Sequence, residues 1–204
     1  MLLGLAASSI VGVPVADAAD VHDLVSAYSD VLAGVRGNTL VWKDGTEMPI
    51  EDGKGEKSFQ ERLKNPSIAD QMLLPYPKGE LTAPPAPNSD PGRFRNQAFF
   101  DKMYGNCDRG EVQRRLTRIV WMPKTSGKTL EVTSINGISE KLSRISDELD
   151  KLPAELRKYA APSAGTFNCR VVKDTGNRSM HAWGAAIDIN KKYSNYWLWE
   201  KGRG

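Results

Sequence analysis

The order read over Arg118–Asn190, two strands, a helix and two further strands, fits an α+β chain, and three patterns carry that reading. Two short apolar segments, Arg118–Met122 and Thr129–Thr133, flank a turn signal at Ser126-Gly127. Ile138, Leu142, Ile145, Leu149 and Leu152 recur at helical spacing before Pro153 stops the run, with Ser139 as the expected cap. Thr166–Val172 and Ala185–Asn190 then alternate as strands, the first with Phe167, Cys169 and Val171 on one face and Asn168 and Arg170 on the other.

The upstream elements follow in chain order. Asp20 is placed to cap a helix whose apolar residues are Val21, Leu24, Val25, Tyr28, Leu32 and Val35, with Gly37 ending it. His22, in its first turn, reads as a surface residue. Asn38–Ile50 reads as a hairpin: Thr39–Trp42, a turn through Asp44-Gly45, then Glu47–Ile50, with Pro49 marking an edge strand. The stretch 75–92 is crowded with Pro and Gly and predicts an extended surface connection. Gln97–Tyr104 and Gly110–Leu116 are both expected to be helical.

Composition narrows the function classes. Hydrophobic residues at 40% and charged residues at 26% suit a folded chain rather than a disordered one. Lys+Arg 28 against Asp+Glu 25 leaves a formal +3, too mild for a dedicated nucleic-acid binder. With two His and two Cys, four-ligand zinc knuckles, iron–sulfur clusters and disulfide-rich scaffolds are excluded. Residues 1–16 are uncharged and lead to small residues at Ala16-Asp17-Ala18, as in a secretory signal peptide over 1–18. The run is shorter than the roughly 20 apolar residues of a spanning helix, and Pro14 interrupts it, so no membrane span is expected after processing. In an exported chain Cys107 and Cys169 either pair or remain two buried thiols; both are open on sequence alone.

The chemistry concentrates near the C-terminus. Asp188 falls in an apolar alternating segment, where a carboxylate is costly unless a cation or hydrogen bonds compensate it. His181 lies seven residues earlier, which in one continuous strand is the opposite face. A bend at Gly184 returns the imidazole towards the carboxylate, and small Ala185 and Ala186 leave room for approach. A histidine nitrogen and a carboxylate oxygen so placed suit a mixed N/O metal site; a capped turn with a satisfied Asp is the plainer alternative.

Ser179-Met-His181-Ala-Trp-Gly184-Ala-Ala186-Ile-Asp188 resembles the Ser-x-His-x-x-Gly-x-Ala-x-Asp signature of the zinc D-alanyl-D-alanine carboxypeptidases. The same signature marks their relatives, the D-Ala-D-Ala dipeptidases and the L-alanyl-D-glutamate endopeptidases of phage lysins. The resemblance covers roughly 130–199 and implies a small antiparallel sheet with helices on one side, the hedgehog/DD-peptidase-like fold. It divides the chain into the signal peptide, an N-terminal region over 19–125 and a partial catalytic domain over 126–204. It implies zinc as cofactor, with His181 and Asp188 as two of three protein ligands. Ser179 is then expected to orient the ligand loop by hydrogen bonding, and Arg170 to stabilise charge on the scissile carbonyl or to meet a substrate carboxylate. The implied partner is a peptidoglycan stem peptide, and the implied location is periplasmic or extracellular. The family's third ligand and general base lie downstream of the Asp, and no His follows His181. The expectation is therefore a C-terminally truncated domain with impaired activity. The alternative is a non-catalytic wall- or partner-binding module, with Trp183, Trp197 and Trp199 available to glycan rings.

Overall fold

A computed structural model describes residues 20–73, 93–173 and 175–194. The signal peptide, all of the Pro-rich connection, and Trp197 and Trp199 lie outside the described residues. The chain divides into two compact units, one of residues 1–54 and 67–93, the other of 55–66 and 94–204.

In the first unit, Asp20 caps α1 (Val21–Ala27) with a reciprocal capping box to Asp23. The helix ends far short of Gly37, contrary to the apolar spacing. Leu32–Arg36 instead forms β1, which pairs antiparallel with β2 (Thr39–Trp42). Leu32 and Val35 stand three apart, which reads equally as a helical stripe, and cross-strand pairing decides the matter by burying Leu32 against the same core as Leu40 and Trp42. β3 (Glu47–Pro49) completes the sheet on the other side of β2, leaving Pro49 on an edge where its missing N–H costs no ladder bond. After α2 (Phe59–Lys64), which belongs to the second unit, α3 (Ile68–Met72) returns to the first and buries Ile68.

The second unit continues with α4 (Gln97–Tyr104), capped by Asn96 and burying Phe99, Met103 and Tyr104. Gly110–Leu116 is not the expected helix. Gly110 is left-handed and closes a short 3₁₀ turn at Cys107–Arg109, and a second one spans Gln113–Arg115. β4 (Leu116–Trp121) and β5 (Lys128–Thr133) then form an antiparallel hairpin in register from Leu116↔Thr133 to Trp121↔Lys128. Ile119, Trp121, Leu130 and Val132 face the core, where Leu142, Leu149 and Ile187 pack on them; Val120 faces the other way and is exposed.

The helix that covers this face is α5 (Ile138–Leu149). Its N-cap is Gly137 rather than Ser139, whose buried hydroxyl donates to Glu140 instead. Fully buried Ser146 ties α5 to β4: its Oγ accepts from the Met122 N–H at 2.6 Å and donates to the Val120 carbonyl at 3.3 Å. α5 ends at Leu149, short of the expected Leu152 and ahead of Pro153, which instead is the N-cap of α6 (Ala154–Ala160), a helix the apolar spacing did not announce. Among the described residues the result is an α+β arrangement with two small antiparallel sheets, of three strands and of two.

Thr166–Val172 and Ala185–Asn190 are not strands. Each contributes only a single-residue bridge, Gly165↔Asp188 and Val171↔Arg178. Their other main-chain bonds go to scattered partners, as in Asn168 N–H to the His181 carbonyl and Ala185 N–H to the Met180 carbonyl, and no ladder propagates. Among the described residues, no helix is long and apolar enough to cross a membrane.

Candidate metal centre

His181 sits in a 3₁₀ turn, Met180–Trp183, that its neighbours define closely. Ser179 is the N-cap, its Oγ accepting the His181 N–H at 3.4 Å, while Gly184 closes the turn in the left-handed region. A side chain at Gly184 has no room: a Cβ there falls 2.6 Å from Leu116 Cδ2 and 3.1 Å from the Thr133 amide nitrogen. The Gly184 carbonyl accepts that same Thr133 N–H at 3.0 Å, so the turn is docked on the last rung of the β4–β5 hairpin.

The imidazole is oriented from the main chain. Thr166 donates its hydroxyl to the Glu131 carbonyl of β5, and its own carbonyl lies 2.5 Å from His181 Nδ1. A carbonyl only accepts, so Nδ1 carries the proton in this bond and Nε2 is the nitrogen left for a ligand or a second partner. Asp188 is fixed from its backbone: its N–H donates to Gly165, and its carbonyl accepts from the Ala164 N–H at 2.8 Å and the Ser163 hydroxyl at 3.0 Å.

These two frames bring His181 Nε2 to 3.4 Å from Asp188 Oδ1. Donors each about 2 Å from a tetrahedral ion stand about 3.3 Å apart, so the pair fits one shared zinc. The second ring nitrogen bonded to a main-chain carbonyl is the usual support of a metal-ligating histidine. The carboxylate is half-exposed rather than buried in an apolar strand, and the bend at Gly184 turns the two groups onto one side. Lys191 Nζ stands 3.8 Å from Asp188 Oδ2 and supplies the local countercharge. Its position three residues after Asp188 was available in the sequence; the Thr166 carbonyl, being main chain, left no signal there.

Arg170 is exposed, and among the described residues its guanidinium makes no bond to His181 or Asp188; its carbonyl accepts the Ser179 N–H at 3.1 Å. Trp183 is buried, with its indole N–H on Asp101 at 2.8 Å and its ring stacked on Phe100, and is not available to a glycan. Among the described residues, no third His, Cys, Asp or Glu donor joins His181 and Asp188.

The other cluster of ligand-type side chains is Cys107, Asp108 and Cys169. The two sulfurs are joined in a disulfide, which removes them as metal donors. Buried Arg178 pairs with Asp108 and reaches Cys107 Sγ at 3.2 Å. Its hydrogen bond holds the Asp108 carboxyl below the ordinary carboxylate range.

Residues 173–204 match the family model described as D-alanyl-D-alanine carboxypeptidase, under a fifth of the chain. No curated protein and no solved structure matches the chain. The matched stretch holds Ser179, His181 and Asp188, and it supports the coarse assignment of a carboxypeptidase-like peptidase related to peptidoglycan.

Proposed function

We propose that the chain is a zinc-dependent peptidase of the cell envelope that hydrolyses peptidoglycan stem peptides, as a D-Ala-D-Ala carboxypeptidase or an L,D-endopeptidase. The supporting observation is the approach of His181 Nε2 to Asp188 Oδ1, with Nδ1 already engaged by a carbonyl. Zinc, when bound, supplies Lewis-acid polarisation of the scissile carbonyl and acidifies water. His181 and Asp188 hold the ion, Ser179 keeps the His181 turn in place, and exposed Arg170 meets the developing negative charge or a substrate carboxylate. Catalytic zinc sites use three protein ligands, so the reading calls for a third donor from outside the described residues. Zinc titration of the full-length protein should load one ion per chain, and His181→Ala or Asp188→Asn should weaken binding about a hundredfold. A protein that neither takes up zinc nor cleaves a stem peptide overturns the reading.

The two-donor set among the described residues favours one other reading, a wall-binding module on the same scaffold. Peptidoglycan pull-down without hydrolysis, unchanged by His181→Ala, is its signature.

A further inference from the structure

Two residues past Asp188 the chain builds a second feature. Asn190 fastens the end of α6 to the short turn Lys191–Tyr193: its Nδ2 donates to the Lys158 carbonyl at 2.7 Å and the Ala161 carbonyl at 2.8 Å. Its Oδ1 accepts the Lys192 N–H at 3.1 Å, and its own N–H donates to the Tyr159 carbonyl. This clamp sets Tyr159 and Tyr193 edge to face, with centroids 5.0 Å apart and both rings nearly half exposed. Lys158 Nζ lies 4.9 Å from the Tyr159 centroid and 5.6 Å from that of Tyr193; Lys192 Nζ lies 5.6 Å from Tyr193. Among the described residues, neither Lys158 nor Lys192 has an acidic ion-pair partner. Asp188, two residues before Asn190, pairs with Lys191.

We infer that this Lys158–Tyr159–Lys192–Tyr193 face is a subsite for an acidic peptide, taking the carboxylates of the substrate outside the bond that is cut. The inference rests on the peptidase reading and specifies its substrate as a stem peptide with free rather than amidated carboxylates. Two ammonium groups steadied on ring faces present charge without a neutralising partner, and the exposed rings cover apolar parts of a bound peptide. The clamp ties the face to the segment that carries Asp188, two residues before Asn190, and Lys191 of the same turn already reaches the Asp188 carboxylate, so the face adjoins the proposed metal pair.

The test is calorimetric titration of the full-length protein with a stem pentapeptide whose D-glutamate α-carboxyl is either free or amidated. The free acid should bind roughly tenfold more tightly. In a Lys158→Gln/Lys192→Gln double variant that difference should vanish while the amidated peptide binds as before; an unchanged melt shows that these exposed substitutions leave the fold intact. Equal affinity for the two peptides, a preference that survives the double variant, or no binding of either overturns the subsite. Inorganic phosphate competing as strongly as the free-acid peptide also overturns it, since the face is then a general anion site. Zinc uptake through His181 and Asp188 is read separately: uptake without carboxylate preference sinks the subsite alone, and preference without uptake sinks the peptidase reading.

Discussion

Gly184 carries two demands at once: a left-handed backbone and a neighbour at contact distance where a Cβ would go. Gly184→Ala should cost about 2–4 kcal/mol, from strain at positive φ plus the clash with Leu116 and the Thr133 backbone. Denaturant melts measure the loss, and zinc affinity should fall with it because the same turn carries His181. Lys191 acts in the opposite sense. On the proposed zinc reading its ammonium competes with the ion for Asp188, so Lys191→Ala should tighten zinc binding by about fivefold, as expected for one exposed ion pair. Equal zinc affinity in the two proteins would show that the ammonium does not occupy the site.

Between elements, the hairpin turn and α5 are joined through two short polar side chains. Ser146→Ala strands the buried Met122 N–H and should destabilise by about 1–3 kcal/mol in a thermal or denaturant melt. Asp150, just past α5, accepts from the Lys124 N–H and the Thr125 hydroxyl. Burial raises its pKa, but these bonds and the nearby Arg157 and Lys124 outweigh it, and the net shift is downward. A depressed folded value means the contribution is complete above the unfolded carboxylate pKa and is lost as pH falls through the folded one. Asp150→Asn should therefore destabilise at neutral pH and flatten the acid limb of a stability–pH profile. At this scale the sequence was legible where one physical cause dominates: a capping Asp20, an Asp-Gly turn, the apolar spacing from Ile138 to Leu149 in α5. It misled where periodicities coincide, as at Leu32 and Val35, and where alternation lacked a partner strand, as at Thr166–Val172. The approach of His181 to Asp188 was legible from the bend at Gly184, because a glycine between the two is a local cause. The carbonyl that orients the imidazole comes from fifteen residues away and is invisible in any side-chain pattern.

Across the second unit, the Cys107–Cys169 disulfide closes a 62-residue separation, and by chain entropy its removal should cost about 4 kcal/mol. Its position gives that loss a local address. Asn168 and Arg170, on either side of Cys169, are the residues whose main chain bonds His181 and Ser179. Melting with and without a dithiol reductant should show the drop, and zinc affinity should decline in the reduced protein even below its melting point. What steadies the histidine ring is a peptide oxygen at Thr166, and every amino acid carries one. A saturation scan of position 166 can strip the hydroxyl that hooks onto Glu131 yet never delete the ring's acceptor. The dependence will surface only in single-residue insertions or deletions between Ser163 and Asn168, which slide that oxygen out from under the imidazole while leaving His181 and Asp188 in the chain unchanged.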